Sequence, residues 1–222
     1  MIVDLSFAPI AVLAFLGAAL LTVALTASVI VARFTGKTSL AGLLLKVLGA
    51  GLGLYFVAML GVSAFSKDYV LRTGAEKHFC EMDCHLAYSV TKVETVAASP
   101  ADSKTAPAPT SGQLYVVTLR TRFDETTIGP HRGNGYLYPN PREIIIRDEA
   151  GNQYSPSVSF AGASMDQPLR PGESYETRIF FSLPAEAKNA RMFLRNSPWP
   201  NAFLIGHENS PLHGKVYFDL KG

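Results

Sequence analysis

The chain has 222 residues, 48% of them hydrophobic, and a net charge of +2. That length fits one soluble domain with a membrane anchor. The near-neutral balance, with no basic stripe and no charged tail, excludes nucleic-acid binding by phosphate neutralisation. The apolar residues crowd into the first third; from Lys67 onward acids and bases balance, as in an ordinary soluble domain.

Residues 8–32 carry no charge. A bilayer core takes about 20 apolar helical residues, so this run is long enough to span with some tilt. Pro9 sits at its start, where a missing backbone N–H costs little. A cleaved signal peptide would show a basic leading region and a shorter apolar core, so a retained span is expected. The second run, Val47 to Phe65, is also uncharged, and the spacing predicts a helix over about 40–65. Gly49, Gly51, Gly53 and Gly61 suit this run to close helix–helix approach in lipid.

The predicted hairpin, residues 1–66, is joined at Phe34–Ser39. Arg33, Lys37 and Lys46 lie in or beside the turn, and cations at membrane ends stay cytoplasmic. The N-terminus and everything after Phe65 are therefore expected on the periplasmic or extracytoplasmic side of a bacterial inner membrane. Lys46 is expected to snorkel to the cytoplasmic interface.

Residues 67–85 read as a juxtamembrane segment. It contains His78-Phe-Cys80-Glu-Met-Asp-Cys84-His85, with the only two cysteines of the chain. Outside the cytoplasm a disulfide is the default. Residues four apart on a strand lie too far apart to bridge, whereas a helical turn brings them within range, so a Cys80–Cys84 bond requires a turn there. Three other chemistries fit the same residues. Two sulfurs with His85 or His78, and Met82 nearby, suit a soft metal such as copper. A dithiol suits electron exchange with a partner. Cys-x-x-x-Cys-His is a haem c attachment pattern with one extra residue.

Strands are expected through residues 86–222. Leu86–Val96 carries Leu86, Tyr88, Val90, Val93 and Val96 between polar residues. Along Leu114–Phe123, Tyr115, Val117, Leu119 and Phe123 share one face, and Thr118, Arg120 and Arg122 share the other, the period of a half-buried strand. Ile144, Ile145 and Ile146 make Glu143–Arg147 a buried strand. Asp148–Asn152 turns into Gln153–Ser155. Pro171-Gly172 precedes Tyr175–Leu183, which alternates again. Ala185–Asn189 reads as a single helical turn; Arg191–Leu194 and Lys215–Leu220 complete the set. Ala97–Gly112 and Pro130–Pro141 read as long loops, the second carrying Tyr136 and Tyr138. Short strands between Gly/Pro/Asn-rich turns indicate an all-β sandwich.

The run Gln113–Phe123, the Asp-x-x-Gly-Asn-x-Tyr turn ending at Tyr154, and Leu169-Arg-Pro-Gly-Glu173 leading into Tyr175–Leu183-Pro184 resemble the immunoglobulin-like domains of uncharacterised bacterial membrane proteins and lipoproteins. The resemblance covers about half of the soluble part. It implies an extracytoplasmic immunoglobulin-like β-sandwich and no catalytic residues. The overall plan is also similar to cytochrome oxidase subunit two, where a Cys-x-x-x-Cys pair helps bind a dinuclear copper centre. In that family a His and a Met follow the second cysteine by four and seven residues; here those positions hold Tyr88 and Thr91, so the copper site does not carry over.

No Gly-x-Ser-x-Gly elbow, phosphate loop or His-Glu-x-x-His appears. His131, His207 and His213 lie in loop-like stretches. Trp199, with Tyr136 and Tyr138, is a candidate partner-binding anchor. The expectation is a non-enzymatic binding or accessory module with no cofactor, whose partners are the lipid bilayer and other membrane-protein subunits. Redox or metal handling through Cys80, Cys84, His85 and His78, with copper or haem c, is the alternative.

Overall fold

A computed structural model describes residues 8–79, 85–97, 113–156 and 160–221; Cys80 and Cys84, and most of the expected loop Ala97–Gly112, lie outside the described residues. The chain divides into two units, one comprising the helices up to Lys67 together with Pro198–Gly214, the other Asp68–Ser197 with Lys215 onward.

In the first unit, α1 (Ala8–Phe34) and α2 (Thr38–Phe65) pack as a hairpin. Both run closer to the turn than the expected bounds of 32 and 40. The reason is local. Gly36, at φ +75°, ends α1 with paired bonds from its own N–H to Arg33 O and from Lys37 N–H to Ala32 O. This closure needs a residue tolerant of the left-handed region and leaves only three residues between the helices. Both helices are apolar around their whole circumference. Leu20, Val23, Leu54 and Val57 are each more than two-thirds exposed. Both helices are long and apolar enough to cross a membrane, and lipid is the solvent that suits such faces. The residues buried between them include Ala32 and Ala41, not the glycines: a Cβ placed on Gly49, Gly51, Gly53 or Gly61 meets nothing within 4 Å. The expected close approach at these glycines is absent among the described residues.

The second unit is a sandwich of two five-stranded sheets. Its strands are β1 (Tyr69–Leu71), β2 (Glu76–His78), β3 (Leu86–Ala97), β4 (Gln113–Phe123), β5 (Glu143–Arg147), β6 (Gln153–Tyr154), β7 (Phe160–Gly162), β8 (Ser174–Leu183), β9 (Arg191–Arg195) and β10 (Val216–Asp219). One sheet has the order β2-β3-β4-β8-β7, the other β1-β10-β9-β5-β6. Taken in chain order from β3, the run β3-β4-β8-β7 reproduces the A-B-E-D sheet of an immunoglobulin domain, and β5-β9-β10 reproduces C-F-G. The fold is immunoglobulin-like, with β1 added parallel to β10 and β2 antiparallel to β3 at the edges.

The alternation read from the sequence builds the core. Tyr88 and Val90 of β3, Val117, Leu119 and Phe123 of β4, Ile146 of β5, Ile179 and Phe181 of β8, Met192 and Leu194 of β9 and Phe218 of β10 are fully buried together. On β3 the inward positions change parity between Val90 and Val93. A bulge between Val90 and Lys92 absorbs the odd residue, so that Val93 still packs against the core.

Three expected boundaries change. Residues 67–85 contain two strands of the sandwich, β1 and β2. They are too short to show a period, yet Leu71 and Lys77 are buried. Lys77 lies across the core with Nζ donating to Leu194 O at 2.7 Å and Val216 O at 3.4 Å, between the rings of Phe79 and Phe193. Ala185–Asn189 forms a turn, with Ala187 N–H on Pro184 O, and no helix. Pro198–Gly214, expected within the sandwich, belongs to the helical unit.

Candidate functional site

The edge strand β2 and the end of β4 build the most polar buried cluster among the described residues. Pairing of β2 with β3 and of β3 with β4 puts Glu76, His78, Arg122 and Asp124 on neighbouring backbones. Arg122 holds Glu76 with two hydrogen bonds, Nε and Nη2 each at 2.8 Å, and its Nη2 also reaches Asp124 at 3.3 Å. This two-pronged geometry is the strong form of a charged hydrogen bond. His78 Nε2 donates to Asp124 Oδ2 at 3.1 Å, and the two side chains are only 3% and 7% exposed. The same Asp124 accepts from the N–H and Oγ1 of Thr126 and caps the short 3-10 turn Glu125–Thr127.

The electrostatics follow from these contacts. Burial works against the Asp124 carboxylate, but the bonds from Thr126, His78 and Arg122 outweigh it and hold its carboxyl well below the usual range. The Arg122 hydrogen bonds hold Glu76 below its usual value as well, and the two carboxylates raise Arg122. The cluster opens onto a cleft of about 760 Å³ lined in part by Tyr69, Arg72, Glu76, His78, Asp124 and Thr126.

His78 and His85 flank the cysteine segment, and each imidazole has a fixed orientation. His85 stacks on Phe123 at 5.5 Å. Its Nδ1 lies 2.8 Å from Thr127 Oγ1, whose own hydrogen goes to Asp124 O, so Nδ1 is the donor of the pair. His78 Nδ1 is buried and makes no hydrogen bond to any described residue. A histidine whose Nε2–H is fixed on a carboxylate presents its other nitrogen as a lone pair, the arrangement found behind metal-bound imidazoles. Among the described residues no group of three or more His, Cys, Asp or Glu is placed to hold a metal ion.

Tyr136 and Tyr138 lie on the β4–β5 connection, 51% and 69% exposed. Leu137 between them pairs with Leu169 in a two-bond antiparallel bridge, N–H to O at 2.8 and 3.0 Å. Alternation about that bridge turns Leu137 toward the core and both tyrosines outward. The Arg170 guanidinium covers the Tyr136 ring at 4.5 Å. Trp199 is 72% exposed and meets Phe203 edge-on at 5.3 Å. His131 is exposed, His207 Nδ1 accepts from Asn209 N–H, and His213 Nδ1 donates to Gly214 O.

Sequence reasoning found His78 and His85 but missed Glu76, Arg122 and Asp124. One signal was present: Asp124-Glu-Thr-Thr127 at a strand end is an Asp followed two residues on by Thr, the pattern of a side chain that caps its own turn.

Two apolar helices of membrane-spanning length and an immunoglobulin-like sandwich define the class, a hairpin-bearing β-sandwich protein. No protein-family model matches the chain, and no curated relative matches it either. Among solved structures the chain is similar to MPT63, a secreted protein from Mycobacterium tuberculosis. The identity is 12% over 68% of this chain and 97% of that one, with a TM-score of 0.42.

Proposed function

We propose that this protein is a non-enzymatic accessory subunit or assembly factor of a membrane complex, anchored in the bacterial inner membrane, with its sandwich held outside the cytoplasm. The observation that carries this reading is the unfilled glycine face of α2. Gly49 and Gly53 are four residues apart on one helix face, both exposed, with open space where a Cβ would stand. Small residues at this spacing let a second transmembrane helix approach closely, and α1 does not use them. The outward tyrosines Tyr136 and Tyr138 supply a second contact of the kind interfaces favour, large rings with few rotamers to freeze.

The test is Gly49→Ile/Gly53→Ile in native membranes. A Cβ at either position meets nothing within 4 Å, so the protein is expected to stay in the membrane fraction while co-purification of its partner falls at least tenfold. Unchanged recovery of the same partners, or a wild-type protein that purifies alone and monomeric, contradicts the proposal.

A second reading rests on His78, whose Nε2–H is fixed on Asp124 while its Nδ1 is buried without a described partner. With Cys80 and Cys84 it would bind a soft metal, copper above all, or take part in thiol exchange. Copper bound by protein from native membranes, lost in Cys80→Ala/Cys84→Ala, supports it; metal-free protein and an unchanged phenotype in that variant remove it.

A further inference from the structure

We propose that Pro198–Gly214, the connection between β9 and β10, is a lipid-inserting wedge: it lies along the end of α2 away from the hairpin turn and seats Trp199, Phe203 and Leu212 in the boundary between headgroups and acyl chains. The inference rests on α2 being a membrane span.

Three attachments run up one side of α2. Tyr55 Oη donates to Phe203 O at 2.6 Å. A Cβ at Gly206 would stand 3.7 Å from Val62 Cγ1. Gly214 N–H donates to Ser66 Oγ at 2.6 Å and presses so close to Lys67 that any side chain at Gly214 would collide with its backbone. From Tyr55 to Ser66 is about 16 Å of helix. Tyr55 lies within the uncharged run Val47–Phe65, and Ser66 lies at its end, one residue before Lys67. Phe203, bonded to Tyr55, therefore lies on the membrane side of the segment, and Gly214, bonded to Ser66, at its outer end. Tryptophan and tyrosine rings concentrate at the boundary of a membrane with water.

The segment is made for that boundary. Residues 196–206 carry no charge; the first acid is Glu208. Trp199 and Leu212 are 72% and 77% exposed, on the same unit as two helices that expose large apolar side chains. Irregular backbone is excluded from lipid unless its polar groups are satisfied. Here Pro198, Pro200 and Pro211 have no N–H to satisfy. The N–H groups of Phe203, Leu204, His207, Ser210 and His213 each donate to a carbonyl three residues back. Ser210 Oγ donates to Leu204 O, and Tyr55 satisfies Phe203 O. A partner protein covering the same rings is the competing occupant. Lipid is favoured because the same unit also exposes Leu54, Val57 and Phe65 on α2.

Trp199 is the only tryptophan of the chain, so the full-length protein in phosphatidylcholine vesicles reports on this segment alone. The expected result is loss of most of its emission in lipid brominated near the headgroup end of the acyl chain. Weaker quenching is expected from lipid brominated near the terminal methyl, together with a several-fold fall in iodide quenching relative to unfolded protein. A second variant, Leu20→Trp/Trp199→Phe, moves the indole into α1. If the indole in α1 is quenched by brominated lipid while Trp199 of the wild type remains open to iodide, the wedge is overturned and the anchor stands. If Trp199 is shielded from both quenchers, protein covers it and the wedge is again overturned. If the indole in α1 is not quenched by lipid, the anchor fails and the wedge with it.

Discussion

Arg122 is the residue on which the polar edge of the sandwich depends. Its guanidinium bridges Glu76 on β2 and Asp124 after β4, tying an edge strand of three residues to the core sheet. Hydrogen bonds to charged partners contribute roughly 1.5–3 kcal/mol. Arg122→Met is expected to lower the stability of the sandwich by about 2 kcal/mol at neutral pH. The sign of its pH dependence follows from the carboxylates. Glu76 and Asp124 are both held below their ordinary values of 4.5 and 3.8, so they stabilise the folded state above those values, and that contribution disappears as the pH falls through the lower, folded-state ones. Wild type and Arg122→Met are expected to differ most at neutral pH, to begin converging as the pH falls through the ordinary carboxylate values, and to approach each other only below the lowered, folded-state ones. Urea unfolding of the full-length protein in detergent, followed by near-ultraviolet tyrosine dichroism, reads this directly; a gap that stays constant into acid contradicts the assignment.

At the scale of elements, the bulge in β3 is the feature with the clearest mechanical consequence. Leu86, Tyr88 and Val90 point inward on even numbers, and Val93 packs inward on an odd one only because one residue is left over between Val90 and Lys92. Deleting Thr91 removes the extra residue and leaves a regular strand, in which Lys92 follows Val90, pairs with Thr118 as before, and Val93 keeps its inward face. Inserting an alanine after Thr91 adds a second odd residue, so Val93 must turn to the opposite face or the pairing with β4 must break. The deletion is expected to cost about 1 kcal/mol or less and the insertion several kcal/mol. Equal stability of the two variants in the same urea assay would show that the parity change is not held by the bulge.

Long alternating strands were legible in the sequence for a physical reason: a buried face of four or five residues writes its period into the chain, as in β4 and β8. The turn at Asp148 was legible because its chemistry is local: the carboxylate accepts from Asn152 N–H and Nδ2 and from Tyr154 Oη, with Gly151 at φ +89°. By contrast β1 and β2 are three residues each, and a buried lysine interrupts the second, so neither carries a period. Within the site, His78 and His85 stood out because they flank the only two cysteines of the chain. Glu76, Arg122 and Asp124 did not, because nothing local records that residues 46 apart in sequence face each other across paired strands.

For the whole molecule, the connection that leaves the sandwich after β9 and returns to it at β10 joins the helical unit on the way. Sequence patterning could not assign Pro198–Gly214, because its bonds to Tyr55 and Ser66 span 148 residues. The hairpin, the sandwich and the proposed contacts of Gly49, Gly53, Tyr136 and Tyr138 all depend on which side of the membrane the sandwich occupies. Arg33 and Lys37 at the turn set the expectation that the turn stays in the cytoplasm. The most direct measurement places a single thiol on the Asp148–Asn152 turn, as Ala150→Cys in a Cys80→Ser/Cys84→Ser background, and exposes it to a membrane-impermeant maleimide. Labelling in spheroplasts with an intact inner membrane is the expected result; labelling only in inside-out vesicles would put the sandwich in the cytoplasm and contradict the account.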